Sequence, residues 1–191
     1  DEYRAELLQL TGSRLADLIP SDKTQLIAGL VLSVRTMKTK KGTTMAIVTL
    51  DDASARVEAT LFSGLYDSSR DVLVKDSIVV LEGKVEVDDF TGLNRITAEN
   101  IYLLQDAREN RLKELWLNFR ADNVTADLPD KLKTILLGFQ GGGCPVRMSY
   151  RQNGHSADFS LGEEWKVEAS DELLNQLKIQ FGPDFLTLRY H

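Results

Sequence analysis

TQLIAGLVLSVRTMKTKKGTTMAIVTLDDASARVEATLF, residues 24–62, carries three runs in which apolar residues recur at every second position. That alternation marks half-buried strands. Residues 25–34 put Leu26, Ala28, Leu30, Leu32 and Val34 on one face, and residues 43–50 do the same with Ala46, Val48 and Leu50. Residues 55–62 turn Ala55, Val57, Ala59 and Leu61 inward and Arg56, Glu58, Thr60 and Phe62 outward. Lys40-Lys41-Gly42 and Asp51-Asp52 join these runs with residues suited to tight turns. A helical stretch around 63–74 follows, then a fourth strand over 77–87 and a fifth over 93–103. Asp88-Asp89-Phe90-Thr91-Gly92 connects the last two, with Gly92 free to take positive φ.

Three strands, a helix and two further strands is the order of an OB-fold, an all-β, five-stranded Greek-key barrel. Gly29 and Gly83 would relieve the tight coiling of so small a barrel. The chain then reads as a lead-in segment over 1–23 that packs on something else, the OB domain over 24–105, and a helical linker over 106–125. A small α+β domain over 126–191 completes it. The linker rests on Leu112, Leu115, Trp116 and Phe119 at helical spacing. The last domain combines a helix over 130–139, a flexible break at Gly141-Gly142-Gly143, and two strands turning at Asn153-Gly154. A short strand over 165–168, a helix capped by Ser170 and a final strand over 185–190 follow.

Hydrophobic residues make up 42% of the 191 and charged residues 27%, the balance of a globular chain. No apolar run approaches the ~18–20 residues of a membrane span, and no membrane partner is expected. The charged start, Asp1-Glu2-Tyr3-Arg4, is followed by no apolar stretch of the signal-peptide kind. A lone cysteine, Cys144, rules out an internal disulfide and a cysteine-based zinc site, and points to a reducing, cytoplasmic setting. A net charge of -6 argues against coating nucleic acid with the whole surface. Any such contact must be local, and Arg35, Lys38, Lys40 and Lys41 fall together without an acid among them.

That basic loop joins the first two strands, where an OB-fold frames its oligonucleotide site. Arg56 and Phe62 on the outward face of the third strand, and Phe90 on the loop between the fourth and fifth, supply a further cation and two stacking platforms. A basic groove with aromatic platforms suits sequence-tolerant single-strand binding. A lysine-rich hairpin also keeps a strand end soluble, but its place in the barrel favours binding. No catalytic constellation is present. Asp51-Asp52 and Asp88-Asp89 sit at turns, where Asp bonds its own backbone, and the triglycine lacks the Lys-Ser/Thr of a phosphate loop. Gln176-Leu177-Lys178-Ile179-Gln180-Phe181 has the form of a sliding-clamp docking peptide, yet its apolar residues are spaced for a core helix. Phe185, Leu186, Leu188 and Tyr190 end the chain with two partly apolar strand faces, a candidate protein-docking surface.

Leu26-Ile27-Ala28-Gly29-Leu30-Val31, Met37-Lys38-Thr39-Lys40-Lys41-Gly42 and Met45-Ala46-Ile47-Val48-Thr49-Leu50-Asp51-Asp52 resemble the OB domain of bacterial replicative DNA polymerase III alpha subunits. Val57-Glu58-Ala59-Thr60-Leu61-Phe62, Gly83-Lys84-Val85 and Ile96-Thr97-Ala98 continue the likeness. Pro145-Val146-Arg147-Met148-Ser149-Tyr150, Trp165-Lys166-Val167 and Asp171-Glu172-Leu173-Leu174-Asn175 are similar to that family's C-terminal domain. The resemblance implies a non-catalytic part of a larger DNA-directed DNA polymerase, with the catalytic aspartates, Mg²⁺ and the main sliding-clamp peptide lying elsewhere. It implies that the OB domain contacts single-stranded template and that the C-terminal domain binds the clamp-loader tau subunit, tethering polymerase in the replisome. A free-standing OB protein that binds single strands, with an appended interaction domain, is the alternative. A purely structural assembly domain is a third reading.

Overall fold

The computed structural model describes residues 3–191; Asp1 and Glu2, the first residues of the expected lead-in, lie outside them. The chain divides into two compact units, Asp1–Ala107 and Arg108–His191. In the first, α1 (Arg4–Thr11) precedes β1 (Ser21–Lys38), β2 (Thr44–Asp51) and β3 (Arg56–Leu61). The short helix α2 (Ser63–Ser68) leads to β4 (Ile78–Val87) and β5 (Asn94–Leu103). These strands close into a barrel in the order β1-β2-β3-β5-β4, with β3 and β5 parallel and the other neighbours antiparallel. This is the expected OB-fold.

β1 departs from the simple alternation expected of it. Ile27 and Val31 enter the barrel core, whereas Leu26, Leu30 and Leu32 are only half-buried. A bulge between Val31 and Ser33 then changes the parity, so Val34, opposite Val48, packs on the core. Gly83 lies at a second irregularity, where β4 meets β5. A Cβ there would stand 2.6 Å from the Thr97 carbonyl oxygen, so no side chain fits where the two strands approach.

The lead-in is sewn onto the barrel. Leu15 and Leu18 join its core. The Leu15 N–H donates to the Asp52 carboxylate at 2.9 Å, and Asn94 Nδ2 donates to the Leu18 carbonyl at 2.9 Å. Asp52 also accepts from the Ser54 and Ala55 backbones and the Ser54 hydroxyl. Burial alone would raise its carboxyl, but the hydrogen bonds from Ser54, Leu15 and Ala55 outweigh it and hold the group below the usual carboxylate range.

The division between units falls inside α3 (Leu104–Arg111). The second unit continues with β6 (Leu112–Arg120), α4 (Leu128–Leu137), β7 (Gln140–Cys144), β8 (Val146–Gln152), β9 (His155–Ser160), α5 (Asp171–Phe181) and β10 (Leu186–Tyr190). Its sheet has the order β10-β6-β8-β9, with β6 and β8 parallel. Leu132 and Leu136 of α4 and Leu173 and Leu177 of α5 share one core with Leu115, Leu117 and Phe119 of β6. The Ser170 hydroxyl caps α5 by accepting from the Leu173 N–H at 3.3 Å, as its sequence indicates. Both Asn153 and Gly154 take positive φ in the turn between β8 and β9, again as expected.

Three expectations for this half are corrected. The helical linker over 106–125 is not one, because Leu112–Arg120 is a strand at the centre of the sheet. Its apolar residues fit both periods, and pairing with β8 and β10 selects the two-residue one, burying Leu115, Leu117 and Phe119 together. The triglycine is no free break but part of extended β7, and a Cβ on Gly142 would collide with the Val167–Glu168 backbone. In place of a strand over 165–168 there is a tight turn at Glu163–Trp165, after which Val167 bridges Gln140 and Cys144.

Candidate nucleic-acid interface

Beyond its bulge, β1 presents its outward residues beside those of β2 and β3. Arg35 lies opposite Ile47 and Ile47 opposite Thr60, while Met37 lies opposite Met45 in the next row. Thr97 and Arg95 of β5 extend the surface past β3. Phe62 follows β3 at the Met37 end and is 54% exposed. This is a platform of two methionines, an isoleucine and a phenylalanine with threonine hydroxyls between them.

The strand register puts the two framing loops at opposite ends of that platform. The lysine loop stands at the Met37 end, closed by hydrogen bonds from the Thr39 N–H to the Thr43 carbonyl (2.8 Å) and from the Gly42 N–H to the Thr39 carbonyl (2.9 Å). Gly42 takes φ 79°, which only glycine adopts without strain. The loop over 88–92 stands at the end where β3 begins, since β5 runs parallel to β3 and Arg95 lies beside Glu58. There the Asp88 carboxylate accepts from the Thr91 N–H and hydroxyl and the Phe90 N–H, bonds that hold it below its ordinary range. Phe90 itself is 99% exposed.

Arg35, Lys38, Lys40, Lys41 and Phe62 thus gather at one end, with Arg56 and Phe90 at the other. The cations differ in how they are held. Arg35 is paired with Glu58, Arg56 with Asp51, and Arg95 with Asp88 and Glu86. Lys38, Lys40 and Lys41 are exposed and, among the described residues, form no ion pair. Asp51 also accepts from the Ala53 N–H, so Asp51, Asp52 and Asp88 are each committed to their turns. Among the described residues no group of three or more His, Cys, Asp or Glu is placed to hold a metal ion. Sequence reasoning missed Met45, Ile47 and Arg95 as parts of this surface. For Met45 and Ile47 the signal was present, because the β2 residues that alternate with Ala46, Val48 and Leu50 must point outward.

The second unit does not present the surface expected of it. Phe185 and Leu188 are 3% and 7% exposed, and Leu186 and Tyr190 pack against the same core. The Phe185 ring lies edge-on to Phe119 at 4.8 Å and stacked on Phe181 at 4.5 Å. Of the docking face assigned to Phe185, Leu186, Leu188 and Tyr190, the first and third are therefore interior, while Leu186 and Tyr190 stay half-buried at its margin. Gln176–Phe181 lies within α5 with Leu177 fully buried, so it is not offered in extended form.

Other surfaces of this unit stand out instead. On the sheet face away from the helices, Trp116 is nearly buried, with the Arg189 guanidinium 4.0 Å and the Arg147 guanidinium 5.7 Å from its ring centre. Its Nε1–H donates to Glu114 at 2.8 Å, and Glu114 also pairs with Arg147. At the sheet's edge, every residue of β9 is exposed, including Phe159. Cys144, the last residue of β7, is buried, and burial pushes its thiol up to about 11.

Residues 26–104 match the family model of the OB-fold nucleic acid binding domain, and residues 131–182 match that of the DNA polymerase III subunit alpha C-terminal domain. The chain is 37% identical over 192 residues to DNA polymerase III subunit alpha of Pseudomonas aeruginosa, covering 100% of this chain and 16% of the relative. It is 33% identical over 193 residues to that of Escherichia coli K12, covering 100% of this chain and 17% of the relative. The chain thus spans about a sixth of the length of these relatives. Among solved structures, the second OB-fold domain of replication protein A from Methanococcus maripaludis is 22% identical, with a TM-score of 0.39, covering 48% of this chain and 93% of that one.

Proposed function

Because this chain is homologous along its whole length to the C-terminal region of DNA polymerase III alpha subunits, we propose that it is a non-catalytic contact module of a replicative polymerase, holding single-stranded template on the barrel. The observation that carries the reading is the set of exposed lysines, Lys38, Lys40 and Lys41, which form no ion pair among the described residues, at the end of the platform that also holds Met37 and Phe62. Lysines on a hairpin tip reach phosphates, and flat or polarizable side chains below them accept unstacked bases. The paired arginines leave the floor nearly neutral, consistent with a weak, local grip in an acidic chain.

Replacing Lys38, Lys40 and Lys41 together with alanine tests it. Each phosphate contact on a single strand adds ~0.7 to the salt slope, so the triple variant is expected to lose about 2 from log K against log salt. Binding of labelled oligothymidine, followed by anisotropy over a salt series, reads this. An unchanged slope means the loop only solubilises the hairpin.

The second unit takes the tau-docking role that the resemblance implies, and the exposed β9 edge with Phe159 supports placing it there. An extended partner segment can add to such an edge through its backbone, with alternate side chains giving selectivity. Phe159→Asp, a change at an exposed position, is expected to leave the fold intact and abolish tau capture in calorimetry. Normal capture by the folded variant would remove β9 from the interface.

A further inference from the structure

We propose that Glu58 is an electrostatic restraint on the barrel's nucleic-acid platform: it holds the Arg35 guanidinium down on the surface and keeps it from phosphate. This rests on the reading of that platform as a single-strand site. Arg35 sits on β1 at the base of the lysine loop and Glu58 on β3, so their ion pair crosses over β2 in the middle of the surface. The side chains are 61% and 49% exposed. An exposed pair is screened and adds little to folding, so its main effect is on what Arg35 is free to bind. The Glu58 carboxylate accepts from Arg35 Nη2, and a phosphate seeks the same charged donor. The two anions compete for the guanidinium, so Glu58 lowers what Arg35 offers a phosphate.

The neighbouring groups point the same way. Arg95, beside Glu58 in register, is held by Asp88 and Glu86, and Arg56 is held by Asp51. Every arginine of the platform is thus occupied by a carboxylate while the loop lysines are not. Phosphate contact is confined to the loop, and the floor is left to the bases. Such a division gives a grip that releases readily, as a module over moving template requires.

The test is a cycle of Glu58→Gln, Arg35→Ala and the double variant in the 191-residue chain. Each is checked for fold by circular dichroism and titrated with oligothymidine over a salt series. Releasing one arginine to one phosphate steepens the slope by ~0.7, which is about a fivefold gain in affinity at ~0.1 M salt. Glu58→Gln is expected to show both changes, and the same substitution on the Arg35→Ala background to show neither. Glu58→Gln binding like the parent overturns the restraint, provided the parent still depends on its loop lysines. A gain that persists without Arg35 also overturns it, since simple loss of a negative charge would then suffice. If the triple lysine variant and the parent share one slope, the platform reading itself fails, and the restraint falls with it.

Discussion

Asp52→Ala removes the acceptor that ties the lead-in to the barrel. The carboxylate receives the Leu15 N–H (2.9 Å), the Ser54 N–H (2.9 Å) and hydroxyl (2.6 Å), and the Ala55 N–H (3.1 Å). Water can replace it at the turn around Ser54, but Leu15 is buried. One hydrogen bond to a charged acceptor is worth ~1.5–3 kcal/mol, and partial exposure of Leu15 would add up to ~1 kcal/mol. The expected loss is therefore about 1.5–4 kcal/mol from the first unit, with Asp52→Asn losing about half of it. Hydrogen exchange at the Leu15 and Ala16 amides, alongside urea unfolding followed by far-ultraviolet circular dichroism, measures both. The pH dependence supplies the sign. The folded carboxyl lies below the unfolded value of about 3.9, so its stabilisation is complete above that pH and is lost as pH falls through the folded value. Asp51 and Asp88 are shifted the same way, so the informative quantity is the gap between the parent and Asp52→Asn, which should close in acid. Unchanged protection of Leu15, or a gap that does not depend on pH, would refute the reasoning.

Gly83→Ala should destabilise the barrel by about 1–3 kcal/mol, because its Cβ would stand 2.6 Å from a backbone oxygen that cannot move alone. Gly29→Ala, with its nearest contact at 3.2 Å, should cost less, and thermal melts of the pair check the order. Leu188→Asp should unfold the second unit, since it buries a charge without a partner, and loss of near-ultraviolet dichroism reads that outcome. A folded Leu188→Asp chain would contradict the interior placement of β10.

The sequence was most legible where one face is core and the other solvent. β2 and β3 meet that condition, and their alternation fixes which side chains line the interface. β1 misled because a single extra residue at its bulge reverses the parity, and a bulge between valine and serine leaves no mark in composition. β6 misled because Leu112, Leu115, Trp116 and Phe119 satisfy a helix as well as a strand, and only pairing partners far along the chain decide between them. The terminal strand looked like a docking face for a related reason: Phe119 and Phe181, which cover Phe185, come from two other elements. The lysine loop was legible because loop charges need no partner to be exposed. Its neighbour Arg35 was not, because the carboxylate that holds it lies 23 residues away on another strand.

The clamped indole on the second sheet gives this chain a built-in optical gauge. Trp116 and Trp165 are its two tryptophans, and both belong to the second unit. Excitation of indole therefore lights one half of the molecule and leaves the barrel dark. With Arg189 and Arg147 over its ring and Glu114 on its nitrogen, Trp116 emits in a field set by three charges. A partner that lifts Arg189 from the ring should shift that emission, so docking on the second unit can be followed without attaching a dye.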